Sequence, residues 1–74
     1  MANDVRFTIR PLATGPVYVL QVRQSCAASI AQSWLKAKGI ETEFKLCGWW
    51  YEASWPDSPA AQAVAPQLQA RAEG

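Results

Sequence analysis

Val5-Arg6-Phe7-Thr8-Ile9-Arg10 and Val17-Tyr18-Val19-Leu20-Gln21-Val22-Arg23, joined through Pro11-Leu12-Ala13-Thr14-Gly15-Pro16, decide the fold. In the first run apolar and polar residues alternate, the mark of a strand with one buried face. Val5, Phe7 and Ile9 share that face; Arg6, Thr8 and Arg10 share the other. The second run offers Tyr18, Leu20 and Val22 for the same side. The stretch from Pro11 to Pro16 reads as the turn, with Gly15 free to take positive φ. Pairing Ile9 with Tyr18, Phe7 with Leu20 and Val5 with Val22 keeps all six apolar side chains together, whereas a one-residue slip would turn half of them outward. The same register sets Asp4 opposite Arg23, a favourable cross-strand pair.

Downstream, Ala27, Ile30, Ala31, Trp34 and Leu35 recur at helical spacing. They predict a helix from about Ser25 or Cys26 to Lys38, with Ser25 as N-cap and Lys36 and Lys38 complementing the dipole at its end. Gly39 and Ile40 fit a Schellman ending. A third strand is expected from Ile40, with Thr42, Phe44 and Leu46 on the face of Ile40. Gly48 is either a bulge in one long strand or part of a Cys47-Gly48 turn into a fourth strand, Trp49–Ala53. The X-Gly signal between apolar runs favours the turn. The turn would pair Leu46 with Trp49, placing Trp49 and Tyr51 inside and Trp50 outside.

The elements therefore read β-β-α-β, with a fourth strand if Gly48 turns. This is an α+β domain in which one helix packs on one face of a mostly antiparallel sheet. Residues 4–55 form the core domain. Its predicted interior comprises Phe7, Ile9, Tyr18, Leu20, Val22, Ile30, Trp34, Leu35, Phe44 and Leu46. Every aromatic residue precedes Pro56, and alanine and proline dominate after it. Residues 56–74 thus read as an appendage, either a short helix or disordered. Asp57-Ser58-Pro59 is a good helix start, Pro66 a break or kink, and Ala61, Val64 and Leu68 a thin apolar stripe.

Cys47-Gly48-Trp49-Trp50-Tyr51, followed by Trp55, holds three of the four tryptophans and one of the two tyrosines. Adjacent strand residues point to opposite faces, so Trp49 and Trp50 cannot both enter one small core from an extended segment. Aromatic side chains left outside often anchor partners. Trp49, Trp50, Tyr51 and Trp55 are accordingly candidate partner-binding residues. Arg6, Arg10 and Arg23 join them from the outer face of the first hairpin, where charge and stacking could also hold a single-stranded nucleic acid.

The 74 residues carry a net charge of +1 and no histidine. A near-neutral chain is poorly suited to duplex DNA, and without histidine the commonest general base and metal ligand are missing. Cys26 and Cys47 show no CxxC spacing and are expected to be buried, reduced thiols. Glu41 and Glu43 share a strand face and read as solvated. Neither a phosphate loop nor a nucleophile–base arrangement is present. The expectation is a non-enzyme with no cofactor and no metal. No apolar stretch approaches a bilayer's thickness, and Met1-Ala2-Asn3-Asp4 lacks a basic region and an apolar run. The chain thus reads as cytoplasmic, with no membrane partner.

A β-hairpin, helix and strand in so short a chain without catalytic groups resembles small phage or mobile-element inhibitors of the anti-CRISPR kind. The likeness is one of size and layout over residues 4–55 and carries no site residue with it. It implies a module that binds an unidentified protein stoichiometrically, with self-association into a homodimer as a further expectation. The alternative is a single-stranded nucleic-acid binder that uses Arg6, Arg10, Arg23 and exposed indoles.

Overall fold

In a computed structural model of the chain, which describes residues 4–73, strands β1 (Val5–Leu12) and β2 (Gly15–Val22) form the hairpin that the alternation dictates. Val5 faces Val22, Phe7 faces Leu20 and Ile9 faces Tyr18. The turn is tighter than the two prolines suggest. Pro11 pairs with Pro16 and Leu12 with Gly15, so only Ala13 and Thr14 lie between the strands. Arg23 N–H donates to Asp4 O at 3.1 Å, which makes the even-numbered residues of β1 the ones bonded to β2. Pro11 and Pro16 fall on the non-bonded positions, where a missing N–H costs no ladder bond. Gly15, at φ 123°, supplies the backbone conformation that ends the turn.

Helix α1 (Ser25–Ala37) follows. Gln24 occupies the N-cap without a side-chain bond, so Ser25 opens the helix and does not cap it. The C-terminal end is the expected Schellman motif. Ile40 N–H donates to Leu35 O at 2.9 Å and Gly39 N–H to Lys36 O at 3.0 Å, with Gly39 at φ 90°. The buried stripe is rotated from the expected one: Ala28 and Leu35 are buried, while Ile30 is 71% exposed. Trp34, half-buried, forms the flank of the stripe, with Lys38 Nζ 5.6 Å from its ring centre.

The third strand is shorter than predicted. Residues 41–44 lack ladder pairing, and β3 covers only Lys45–Cys47. Side chains take over the backbone's role here: the Thr42 hydroxyl donates to Ser54 O at 2.9 Å, and Phe44 N–H donates to Gln32 Oε1 at 3.3 Å. Strand β4 (Trp50–Pro56) returns antiparallel to β3. The turn between them is Gly48-Trp49, one residue later than expected. Cys47 faces Trp50 and Leu46 faces Tyr51. Gly48 at φ 63° takes the first turn position, which in such hairpins requires glycine.

The sheet order is β1-β2-β4-β3 with every neighbouring pair antiparallel, so the chain is an α+β domain. Its inner face carries Tyr18, Leu20, Ala53 and Trp55, packed against Leu35, Ile40, Ala61, Val64 and Leu68. The last three belong to α2 (Pro59–Glu73), a second helix on the same face. The residues after Pro56, set apart by composition, therefore share the core of residues 4–55. The expected stripe does pack, and Pro66 sits inside an unbroken helix. Ser58 Oγ accepts the Ala61 N–H at 3.0 Å, which caps a start with Pro59 at the first position. Ile9, Ile30 and Leu46, expected inside, are 42%, 71% and 65% exposed.

Candidate partner-binding face

The other sheet face is open except at Val19, which is buried. Register fixes what stands on it. Arg6 faces Gln21, Gln21 faces Glu52 and Glu52 faces Lys45, a row that spans all four strands. Gln21 Nε2 donates to Glu52 Oε1 at 2.9 Å. One step beyond the Val22–Tyr51 pair, the antiparallel register brings Arg23 across from Trp50. The Arg6 and Arg23 guanidinium carbons each lie 4.8 Å from the centre of the Trp50 ring. Cation–π contacts at such partly exposed sites contribute about 0.5–1 kcal/mol each. The half-buried Trp50 thus holds two cations beside one another at one end of the sheet.

Trp49 lies beyond that cluster. As the second residue of the tight turn it is out of the strand, and its side chain is 87% exposed. Leu46 and Cys47 precede the turn, and both are exposed. Cys26 is exposed as well, with its Sγ 3.5 Å from Gln24 Oε1, so neither thiol is buried as expected. Both fall at chain positions where the inner face has already ended or turned away.

The other candidates separate. Trp55 is 3% exposed and takes no part in a surface. It stacks on Tyr18, with ring centres 6.4 Å apart and planes 6° apart, and on Phe7 at 6.4 Å and 27°. It counts odd from the turn, like Ala53, and so points inward. Its Nε1 is buried without a hydrogen-bond partner among the described residues. Tyr51 is half-buried on the inner face. Arg10 is exposed on the outer face, but it faces Val17 at the opposite end from Trp50. The structure therefore brings together Arg6, Arg23, Trp50 and the adjoining Trp49, and leaves out Arg10, Tyr51 and Trp55.

Three features escaped the sequence reading. Tyr18 O–H donates to Asp57 Oδ1 at 2.8 Å, and this hydrogen bond, with burial and the carboxylate's charge adding to it, holds the phenol above its usual 10.0. Asp57 also accepts from Gln62 Nε2 at 3.3 Å, tying the sheet to the start of α2. An apolar groove of about 280 Å³ runs between Val5, Val22, Ala27, Trp34 and Leu68, with Arg71 at its margin. Among the described residues no cluster of metal-ligating side chains occurs, and no helix is long and apolar enough to cross a membrane. Comparison with family models, with curated proteins and with solved structures finds no match.

Proposed function

We propose that the chain is a non-catalytic binding module that engages another protein stoichiometrically through the β3–β4 turn and the adjoining outer face. The observation that carries this reading is Trp49, a large apolar ring 87% exposed on a short, glycine-set turn. Interface tryptophans are among the side chains whose truncation costs most, roughly 2 kcal/mol or more. Trp49 is the anchor, which inserts into an apolar pocket of the partner. Arg6 and Arg23 stand at the rim and favour an acidic surface around that pocket. Blocking a host complex, in the manner of anti-CRISPR proteins, is one use such a surface serves. Tagged wild type and Trp49→Ala, captured from the source cells, test the reading against an Ala63→Ser control. A protein retained at equimolar ratio by wild type and control, and lost with Trp49→Ala, is the expected result. Equal retention by all three overturns it.

The convergence of Arg6, Arg23 and Trp50 also favours a second reading, a single-stranded nucleic acid laid along the outer face. Salt separates the two. Strand affinity should fall steeply between low and moderate salt, while a Trp49-centred protein contact should change little. Absence of oligonucleotide binding even at low salt removes this second reading.

A further inference from the structure

We propose that the free edge of β1 pairs with the same edge of a second copy, about a two-fold axis at Phe7, so that two sheets become one. The seam is separate from the β3–β4 turn that carries Trp49, which lies at the other side of the sheet, and shares only Arg6 with the proposed binding face. The two sheet edges differ sharply. On the β3 side the strand has three residues, and the Thr42 hydroxyl already occupies the Ser54 carbonyl. On the β1 side an eight-residue strand ends the sheet, with no neighbour among the described residues. Such an edge invites pairing unless a charge points inward or a bulge or proline interrupts it. Val5, Phe7 and Ile9 point inward, and the proline sits near one end.

Hydrogen-bond parity and charge together select the register. Because even residues bond to β2, the N–H and C=O groups of Val5, Phe7 and Ile9 face the open edge. A two-fold at Phe7 pairs Phe7 with the partner's Phe7 and Val5 with the partner's Ile9, so every free donor of this set finds an acceptor. It leaves Pro11, which has no N–H, outside the paired stretch. On the outer face it sets Asp4 against the partner's Arg10 and Arg6 against the partner's Thr8. Moving the axis to Thr8 would set Arg6 against the partner's Arg10, a like-charge pair. Moving it to Ile9 would set Phe7 against the partner's Pro11 and lose donors. The half-exposed Ile9 would gain cover at the seam.

Helix α2 lies against β1, and its second copy would stand beside it. Arg71 faces the groove against α1. At 100° per residue the opposite flank of α2 carries the uncharged Gln62, Ala65 and Gln69, and Glu73 joins it only at the helix's last residue. That flank is therefore uncharged over residues 62–69 and presents no like-charge pair there to a neighbouring copy.

Sedimentation equilibrium at low salt tests the pairing with wild type, Arg10→Glu, the swap Asp4→Arg with Arg10→Glu, and Ile9→Pro. Wild type is expected to dimerise reversibly. Arg10→Glu should raise the dissociation constant about tenfold, and the swap should recover most of that loss. Ile9→Pro removes a free-edge donor that the protomer's own sheet does not use, and should give a folded monomer by circular dichroism. The proposal is overturned by a single species of 8.1 kDa at every concentration. It is equally overturned by a dimer whose constant ignores Arg10→Glu, or by failure of the swap to recover affinity.

Discussion

At the residue scale, the four tryptophans are distributed by one turn. Gly48 takes the positive φ that closes it, Trp49 is thereby removed from the strand, and parity then sends Trp50 outward and Trp55 inward. The consequences differ in kind. Trp55→Ala should cost about 3–5 kcal/mol in urea unfolding, because a stacked core ring is replaced by a cavity. Trp49→Ala should change stability by less than about 0.5 kcal/mol, as exposed positions do. If both lowered the midpoint equally, the assignment of the two rings would be wrong. Tyr18 supplies a pH-dependent test. Its hydrogen bond to Asp57 raises the folded-state pKa above 10.0, so its contribution is complete below about pH 10 and is lost as pH rises through the folded value. Above about pH 10, wild type should lose more stability than Tyr18→Phe does. Parallel curves would show that the phenol does not sense folding.

At the element scale, the first hairpin was legible because strict alternation admits a single register that keeps six apolar side chains on one face. The end of α1 was legible because Lys-Gly-Ile after a leucine is a local signal. The helix stripe was misread at Ile30. Spacing alone ranks it with Ala27 and Trp34, but packing of Leu35 and Ile40 into the sheet rotates α1 toward Ala28. The β3–β4 turn was misplaced by one residue, since a glycine can stand at either central position and only the paired strands decide. Helix α2 was obscured because its buried side chains are few and short, and because Pro66 signals a break. The helix continues through it, with Val64 and Leu68 buried on either side. Proline inside a helix costs about 3 kcal/mol, partly offset by a stiffer unfolded chain. Pro66→Ala, at an exposed position, should therefore stabilise the protein by about 1–2 kcal/mol in chemical denaturation, and a loss of stability would show that the proline is needed.

At the scale of the whole molecule, one hydrophobic layer lies between a four-stranded sheet and two helices, and no helix among the described residues covers the opposite sheet face, where only Val19 is buried. A chain this short buries only about 60% of its unfolded surface, so neither helix is dispensable. Removing residues 57–74 takes away Ala61, Val64 and Leu68 and uncovers Leu20 and Trp55. The remaining fragment should show no cooperative thermal transition; a sharp one would mean that α2 is a true appendage. Binding chemistry was legible only as a surplus of rings and a set of arginines. Which of them meet depended on sheet order, since β4 inserts between β2 and β3 and so carries Trp50 to Arg6 and Arg23. The account rests on one highly exposed indole, that of Trp49, and iodide quenching of tryptophan emission in wild type and Trp49→Phe reads it most directly. It predicts a readily quenched component in wild type that disappears in the folded variant. A quenching curve unchanged by the substitution would contradict it.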